Sequence, residues 1–133
     1  MKKIVSLKLL NPILPIVLLL LIISGCDKKS DCFKYKPKSH NVFTKITINE
    51  ENQTVPVTVY IGPMEDNNVR YEKDLHKHVK HLTLDTDTYF TIVAHYKLNG
   101  KTYRVINGVT LSVSQSGSCF YVENIVVDLR FKP

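Results

Sequence analysis

Tyr89-Phe90-Thr91-Ile92-Val93-Ala94-His95-Tyr96-Lys97-Leu98-Asn99-Gly100-Lys101-Thr102-Tyr103-Arg104-Val105-Ile106 decides the fold. Through Leu98 the side chains alternate with period two. Phe90, Ile92, Ala94, Tyr96 and Leu98 take one face, and Thr91, Val93, His95 and Lys97 the other, the mark of a strand rather than a helix. Asn99-Gly100 then supplies two residues that accept positive φ, as a two-residue hairpin turn requires. Lys101 to Ile106 therefore returns beside the first strand.

Working outward, the same period recurs. Ile46 and Ile48 oppose Lys45, Thr47 and Asn49 in a strand over 42–49, and Glu50-Glu51-Asn52-Gln53 turns the chain. Val55, Val57, Val59 and Ile61 line the next strand. Its Pro56 lacks a donor, which predicts an edge or a strand beginning near that residue. Gly62 to Asn68 is a turn-rich loop. Residues 69–84 read two ways: Tyr71, Leu75, Val79 and Leu82 fall at helical spacing, whereas Val69–Tyr71 and Val79–Leu84 read as two short strands. The β surroundings favour strands. Asn107-Gly108 is expected to be a second turn or a bulge, Ser114–Ser118 a polar loop, and Cys119–Phe131 the closing strand with Ile125, Val127, Leu129 and Phe131 inward. About seven strands at this spacing predict an all-β fold, a single small antiparallel β-sandwich over 41–133.

The beginning of the chain carries a different pattern. Lys2, Lys3 and Lys8 precede an apolar run from Ile13 to Ile23, followed by Ser24-Gly25-Cys26. The run falls short of the ~20 apolar residues a spanning helix needs, being cut by Asn11-Pro12 and by Cys26-Asp27-Lys28-Lys29. Residues 1–25 read as a cleaved secretory signal peptide. Ile23-Ser24-Gly25-Cys26 resembles the lipobox of bacterial lipoproteins. That resemblance implies lipidation of Cys26, cleavage before it, and a membrane-anchored protein on the non-cytoplasmic side, with 26–40 as tether. Asp27 after the cysteine resembles an inner-membrane retention signal, and Asp27-Lys28-Lys29 resembles a surface-export signal, so inner and outer membrane both stay open.

Charge and cysteine usage agree with this division. The net +6 of the whole chain falls to 15 basic against 12 acidic residues once the leader's three lysines are removed. Residues 27–40 hold five of those lysines and two of the acids, which leaves 41–133 balanced at ten against ten. A neutral domain is a poor nucleic-acid binder. With Cys26 assigned to lipid, Cys32 and Cys119 remain as an even pair, and an oxidising compartment predicts that they form a disulfide.

Leu84-Asp85-Thr86-Asp87-Thr88-Tyr89-Phe90-Thr91-Ile92-Val93-Ala94-His95-Tyr96 resembles a recurrent element of transthyretin-like and pilin-B-type sandwiches, a turn leading into a Tyr-Thr-x-x-x-Tyr strand. Asp87-Thr88 stand where that element has a glycine, and Phe90 separates Tyr from Thr. The resemblance implies a transthyretin- or immunoglobulin-like sandwich. The whole plan is similar to small lipoproteins of Bacteroidetes type, which brings no catalytic residues to carry over.

Chemistry-bearing residues are few. His76, His78 and His81 lie close together, and imidazole suits Zn²⁺ or Cu²⁺. Lys77 and Lys80 would repel a cation, so no metal and no cofactor is expected. Asp85-Thr86-Asp87 has the spacing of a calcium loop without its glycine or distal glutamate, and reads as a turn. No Gly-x-Ser-x-Gly elbow, phosphate loop or His-Glu-x-x-His motif occurs, so an enzyme is not expected. Tyr60, Tyr71, Tyr103 and Tyr121 suit contacts to an envelope protein or a glycan. The expectation is a non-catalytic binding or assembly module. The alternatives are a periplasmic metal binder using His76–His81 and a hydrolase inhibitor, the absence of an acidic patch arguing against a strongly basic target.

Overall fold

The computed structural model describes residues 31–133. The signal peptide expected over residues 1–25 and the expected lipidation site Cys26 lie outside the described residues. Among the described residues there are nine strands: β1 Ser39–Lys45, β2 Val55–Ile61, β3 Val69–Leu75, β4 Val79–Asp85, β5 Tyr89–Leu98, β6 Lys101–Thr110, β7 Val113–Ser116, β8 Cys119–Val122 and β9 Val126–Asp128. A 3₁₀ turn occupies Met64–Asp66. The described residues are all-β.

The strands form a three-stranded sheet in the order β4-β1-β9, a four-stranded sheet in the order β3-β2-β5-β6, and the β7-β8 hairpin. All pairings are antiparallel except β1 with β9. Val42, Leu82, Leu84 and Val127 from the first sheet, with Ile46 and Leu129 just beyond β1 and β9, meet Val57, Val59, Phe90, Ile92, Ala94 and Tyr96 from the second in one buried cluster. Each sheet has one apolar face, and stacking the two removes both from water. A β-sandwich results. Tyr96 spans the layers, its hydroxyl donating to the Leu129 carbonyl at 2.6 Å and accepting from the Thr47 amide at 3.1 Å. Burial pushes the Tyr96 phenol above its ordinary pKa.

The β5–β6 hairpin forms as its sequence requires. Tyr89 pairs with Thr110 through to Leu98 with Lys101, and Asn99 and Gly100 have φ of 52° and 74°. Residues 69–84 are two strands in different sheets, β3 beside β2 and β4 beside β1. The helical reading therefore fails, because His76-Lys77-His78 must carry the chain across from one layer to the other. β2 is an interior strand. Its pairing with β5 begins only at Val57, so Pro56 has β3 alone as a neighbour and its missing donor is tolerated.

Four expectations are corrected. β1 spans Ser39–Lys45 rather than 42–49, because the Asn49 and Asn52 backbones bond each other and bend the chain. Asn107-Gly108 is neither turn nor bulge; both residues pair in register inside β6, opposite Ile92 and Thr91. A Cβ on Gly108 would run into the Tyr89 hydroxyl, so the glycine serves the ring that crosses it. Ser114–Ser118 is a hairpin rather than a loop, with Gly117 at φ 59° in its turn. The closing stretch divides into β8 and β9.

Cys32 and Cys119 are joined by a disulfide with Cα atoms 5.1 Å apart. From Cys32 onward the segment expected to be tether lies against the sandwich. Phe33 and Phe120 exchange two backbone hydrogen bonds at 2.9 Å, the Lys38 carbonyl accepts from the Thr86 amide, and the Pro37 carbonyl accepts from the Thr86 hydroxyl. Asp87 takes the left-handed conformation at φ 56° where a glycine would be easiest, as aspartate tolerates. Lys36 pairs with it at 2.7 Å and holds its carboxyl below the usual carboxylate range.

Candidate binding site

One cleft lies at an end of the sandwich, where the β1–β2 connection folds over the ends of β5 and β6. It measures about 430 Å³, and Glu50, Glu51, Thr54, Asp74, His95, Lys97 and Thr102 are among its lining residues. One buried side chain builds this wall. Asn52 accepts from the Lys97 amide at 2.7 Å and donates to the Lys97 carbonyl at 2.9 Å, while the Asn49 side chain takes its remaining amide proton at 2.9 Å. The Asn52 amide thus extends the β5 ladder beyond the point where β2 begins, and Glu51 accepts from the Asn99 amide at 3.2 Å. The cleft offers carboxylates, hydroxyls and an imidazole, with three acids against one lysine. This lining suits a polar, hydrogen-bonding ligand.

The three histidines do not converge. His76 Nδ1 lies 2.9 Å from the Thr54 hydroxyl beside the cleft. The His78 carbonyl accepts from the Ile46 amide. His81 packs on Phe43, centroids 4.4 Å apart, on the outer face of the three-stranded sheet. Among the described residues no group of three or more His, Cys, Asp or Glu is placed to hold a metal ion. Asp85 and Asp87 diverge as well, the first to Arg70 at 3.3 Å and the second to Lys36.

The tyrosines scatter. Tyr71 is packed against the core and donates to the Thr83 carbonyl at 3.3 Å across the two sheets, and burial raises its pKa against the opposing pull of Arg70. Tyr103 packs on Phe131. Tyr121 lines a second cleft of about 500 Å³ beside the β7–β8 hairpin, with Ser112, Ser114 and Glu123. Tyr60 is half-buried on the outer face of the four-stranded sheet. Two tyrosines not singled out by sequence, Tyr35 and Tyr89, are the more exposed ones, Tyr89 at 48%. The strand position of Gly108 was the one sequence signal for Tyr89, since a glycine inside a strand marks a close approach.

No protein-family model, no curated protein and no solved structure matches the chain.

Proposed function

We propose that the protein is a lipid-anchored cell-envelope module whose domain binds or assembles with another envelope component and carries out no chemistry. The observation that carries this reading is the Cys32–Cys119 disulfide, which belongs to an oxidising compartment. It uses the two cysteines that remain when Cys26 is given to lipid. The six residues from Cys26 to Cys32 reach at most about 20 Å, which would hold the sandwich close to a bilayer. Two or three acyl chains on Cys26 would make that attachment stable, since one chain binds only marginally. The polar end cleft and the exposed aromatic side chains support a binding role. The dispersal of His76, His78 and His81 gives no support to a metal-carrying role.

Cys26→Ala should move the protein from the membrane fraction to the soluble one; retention in the membrane would refute the anchor. Crosslinking in intact cells from photoreactive groups placed at Thr102 and Ser114, read by mass spectrometry, should give one dominant envelope component. Labelling spread over many unrelated proteins would refute the binding role.

A further inference from the structure

We infer that β6 is an open docking edge at which two copies of this chain join, antiparallel, into one continuous eight-stranded sheet with Ile106 at the two-fold axis.

The argument begins with the backbone. In a two-residue hairpin the closing pair, here Leu98 and Lys101, is hydrogen-bonded, and bonded pairs then alternate along the ladder. The odd-numbered residues of β6 therefore bond to β5. The opposite parity on β5 is visible directly, because the amide and carbonyl of Lys97 turn to Asn52 and the carbonyl of Tyr89 turns to Gly62, both away from β6. Thr102, Arg104, Ile106, Gly108 and Thr110 consequently aim their amides and carbonyls outward. No hydrogen bond among the described residues outside the ladder uses any of these groups. β6 ends its sheet.

Exposed edges are normally guarded by charge, bulges or shortness. The β3 edge carries Arg70, Glu72, Lys73 and Asp74 beside a register shift at Val59/Tyr60. The β4 edge carries Lys80, His81 and Asp85, and β9 is three residues long. β6 runs ten residues, and from Val105 to Thr110 it has no charge, no proline and no bulge. Of the four edges of the two larger sheets, β6 is the one left open.

Self-complementarity selects a second copy as the occupant. A two-fold contact must pair residues reciprocally, and an axis at Ile106 sets Ile106 against its counterpart, Arg104 against Gly108, and Thr102 against Thr110. Ile106 is 50% exposed, and pairing it with itself removes both side chains from water. Gly108 has no side chain to obstruct Arg104, and the ring lying over it belongs to Tyr89. Arg104, which makes no ion pair among the described residues, would then meet the half-exposed face of Tyr89 of the second copy, where cation and ring attract. Every outward residue of the strand finds a compatible partner in this register. Moving the axis to Val105 or Asn107 would keep outward groups facing one another but would set Ile106 against Arg104 or against Gly108, so the self-pairing of exposed Ile106 is what selects this register.

The test uses the full chain in its native membranes, with single cysteines introduced and mild copper-phenanthroline oxidation. Ile106→Cys should give a species of doubled mass, because residues facing across a bonded pair have Cα atoms about 5.5 Å apart, within disulfide reach. Thr102→Cys should give roughly tenfold less, since its copies would lie on the order of 27 Å apart. Absence of the doubled species for Ile106→Cys, equal yields at both positions, or linkage to a different protein would each overturn the inference. In sedimentation of the detergent-solubilised chain, Ile106→Lys should weaken dimerisation by about tenfold or more, as like charges would face each other across the axis, and Val69→Lys on β3 should not. A dimer indifferent to Ile106→Lys would overturn it too. The readout is a doubled mass, so loss of membrane attachment would count against the preceding reading and not against this one.

Discussion

Asn52 and Lys97, 45 residues apart, are joined by two hydrogen bonds in which a side-chain amide plays the part of a neighbouring strand. The amide is buried, with 3% of the residue exposed. Asn52→Ala removes both bonds and leaves the Lys97 amide without its partner. The expected loss is about 2–3 kcal/mol, from roughly 1 kcal/mol for each bond plus the cost of an unpaired group. Urea unfolding of wild type and variant measures it. A change below about 0.5 kcal/mol would mean that the β1–β2 connection holds its shape without the clamp.

The Asp128–Arg130 pair gives the protein an acid limb. Both carboxylate oxygens of Asp128 accept from the Arg130 guanidinium, at 2.8 and 2.6 Å, and this holds the Asp128 pKa far below the usual carboxylate range. Lys36 lowers Asp87 in the same direction. A carboxyl whose folded pKa is depressed contributes stability above its unfolded value of about 3.9 and loses it as pH falls toward the folded value. Stability should therefore decline below about pH 4. Asp128→Asn should flatten that decline, and because both pairs are exposed, added salt should flatten it as well. Thermal unfolding between pH 2 and 6 at two salt concentrations would decide it; identical acid limbs for wild type and Asp128→Asn would contradict the assignment.

Tyr89 and Gly108 should behave as a coupled pair. Gly108→Ala places a methyl where the Tyr89 hydroxyl end now lies, so the ring must swing away and the variant should lose stability. With Tyr89 already replaced by Ser, the same change should cost little, since the position lies in extended backbone that alanine accepts. A double-mutant cycle should give a coupling of about 0.5–1.5 kcal/mol, as contacting residues do. Additive effects would show that the ring does not depend on the glycine.

Removing the disulfide tests how the N-terminal segment is held. The bridge closes a loop of 87 residues, and the chain-entropy model assigns such a loop about 4–5 kcal/mol. Cys119→Ser should lower the midpoint of chemical unfolding by a corresponding amount while leaving the far-ultraviolet spectrum of a β protein. Unchanged stability would place the restraint in the Phe33–Phe120 bonds instead.

Strict alternation located β2 and β5, but over 42–49 it ran past the strand, which stops at Lys45 where the Asn49–Asn52 bend begins to form. Tyr89–Leu98 and the Asn99-Gly100 turn were legible because period and turn chemistry agreed. The Cys32–Cys119 pair was legible by elimination. Residues 107–108 were misread because glycine in a strand signals either a break or a close approach, and only the three-dimensional neighbour Tyr89 separates the two. The Asn52 clamp could not be read, since an asparagine in a turn gives no sign of a partner 45 residues away. The His76–His81 cluster looked compact along the chain, but the crossover between sheets turns neighbouring residues toward different surfaces. Nor could the open edge be read: which strand lacks a neighbour is a property of topology, and no single strand records it.

The parallel seam between β1 and β9 sets a condition on how the chain comes to rest. Phe43 lies beside Val126 and Lys45 beside Asp128, so the middle strand of one layer lacks its second neighbour until residues more than eighty positions later have been made. Strands with such distant partners assemble slowly, because the entropy of closing the long loop is spent before any contact returns it. A chain emerging in order would hold hairpins such as β5–β6 early and the three-stranded layer last. Until that moment Val42, Leu82 and Leu84 have only part of their cover, so the newly made polypeptide stays open and yielding for most of its synthesis and becomes rigid at the end.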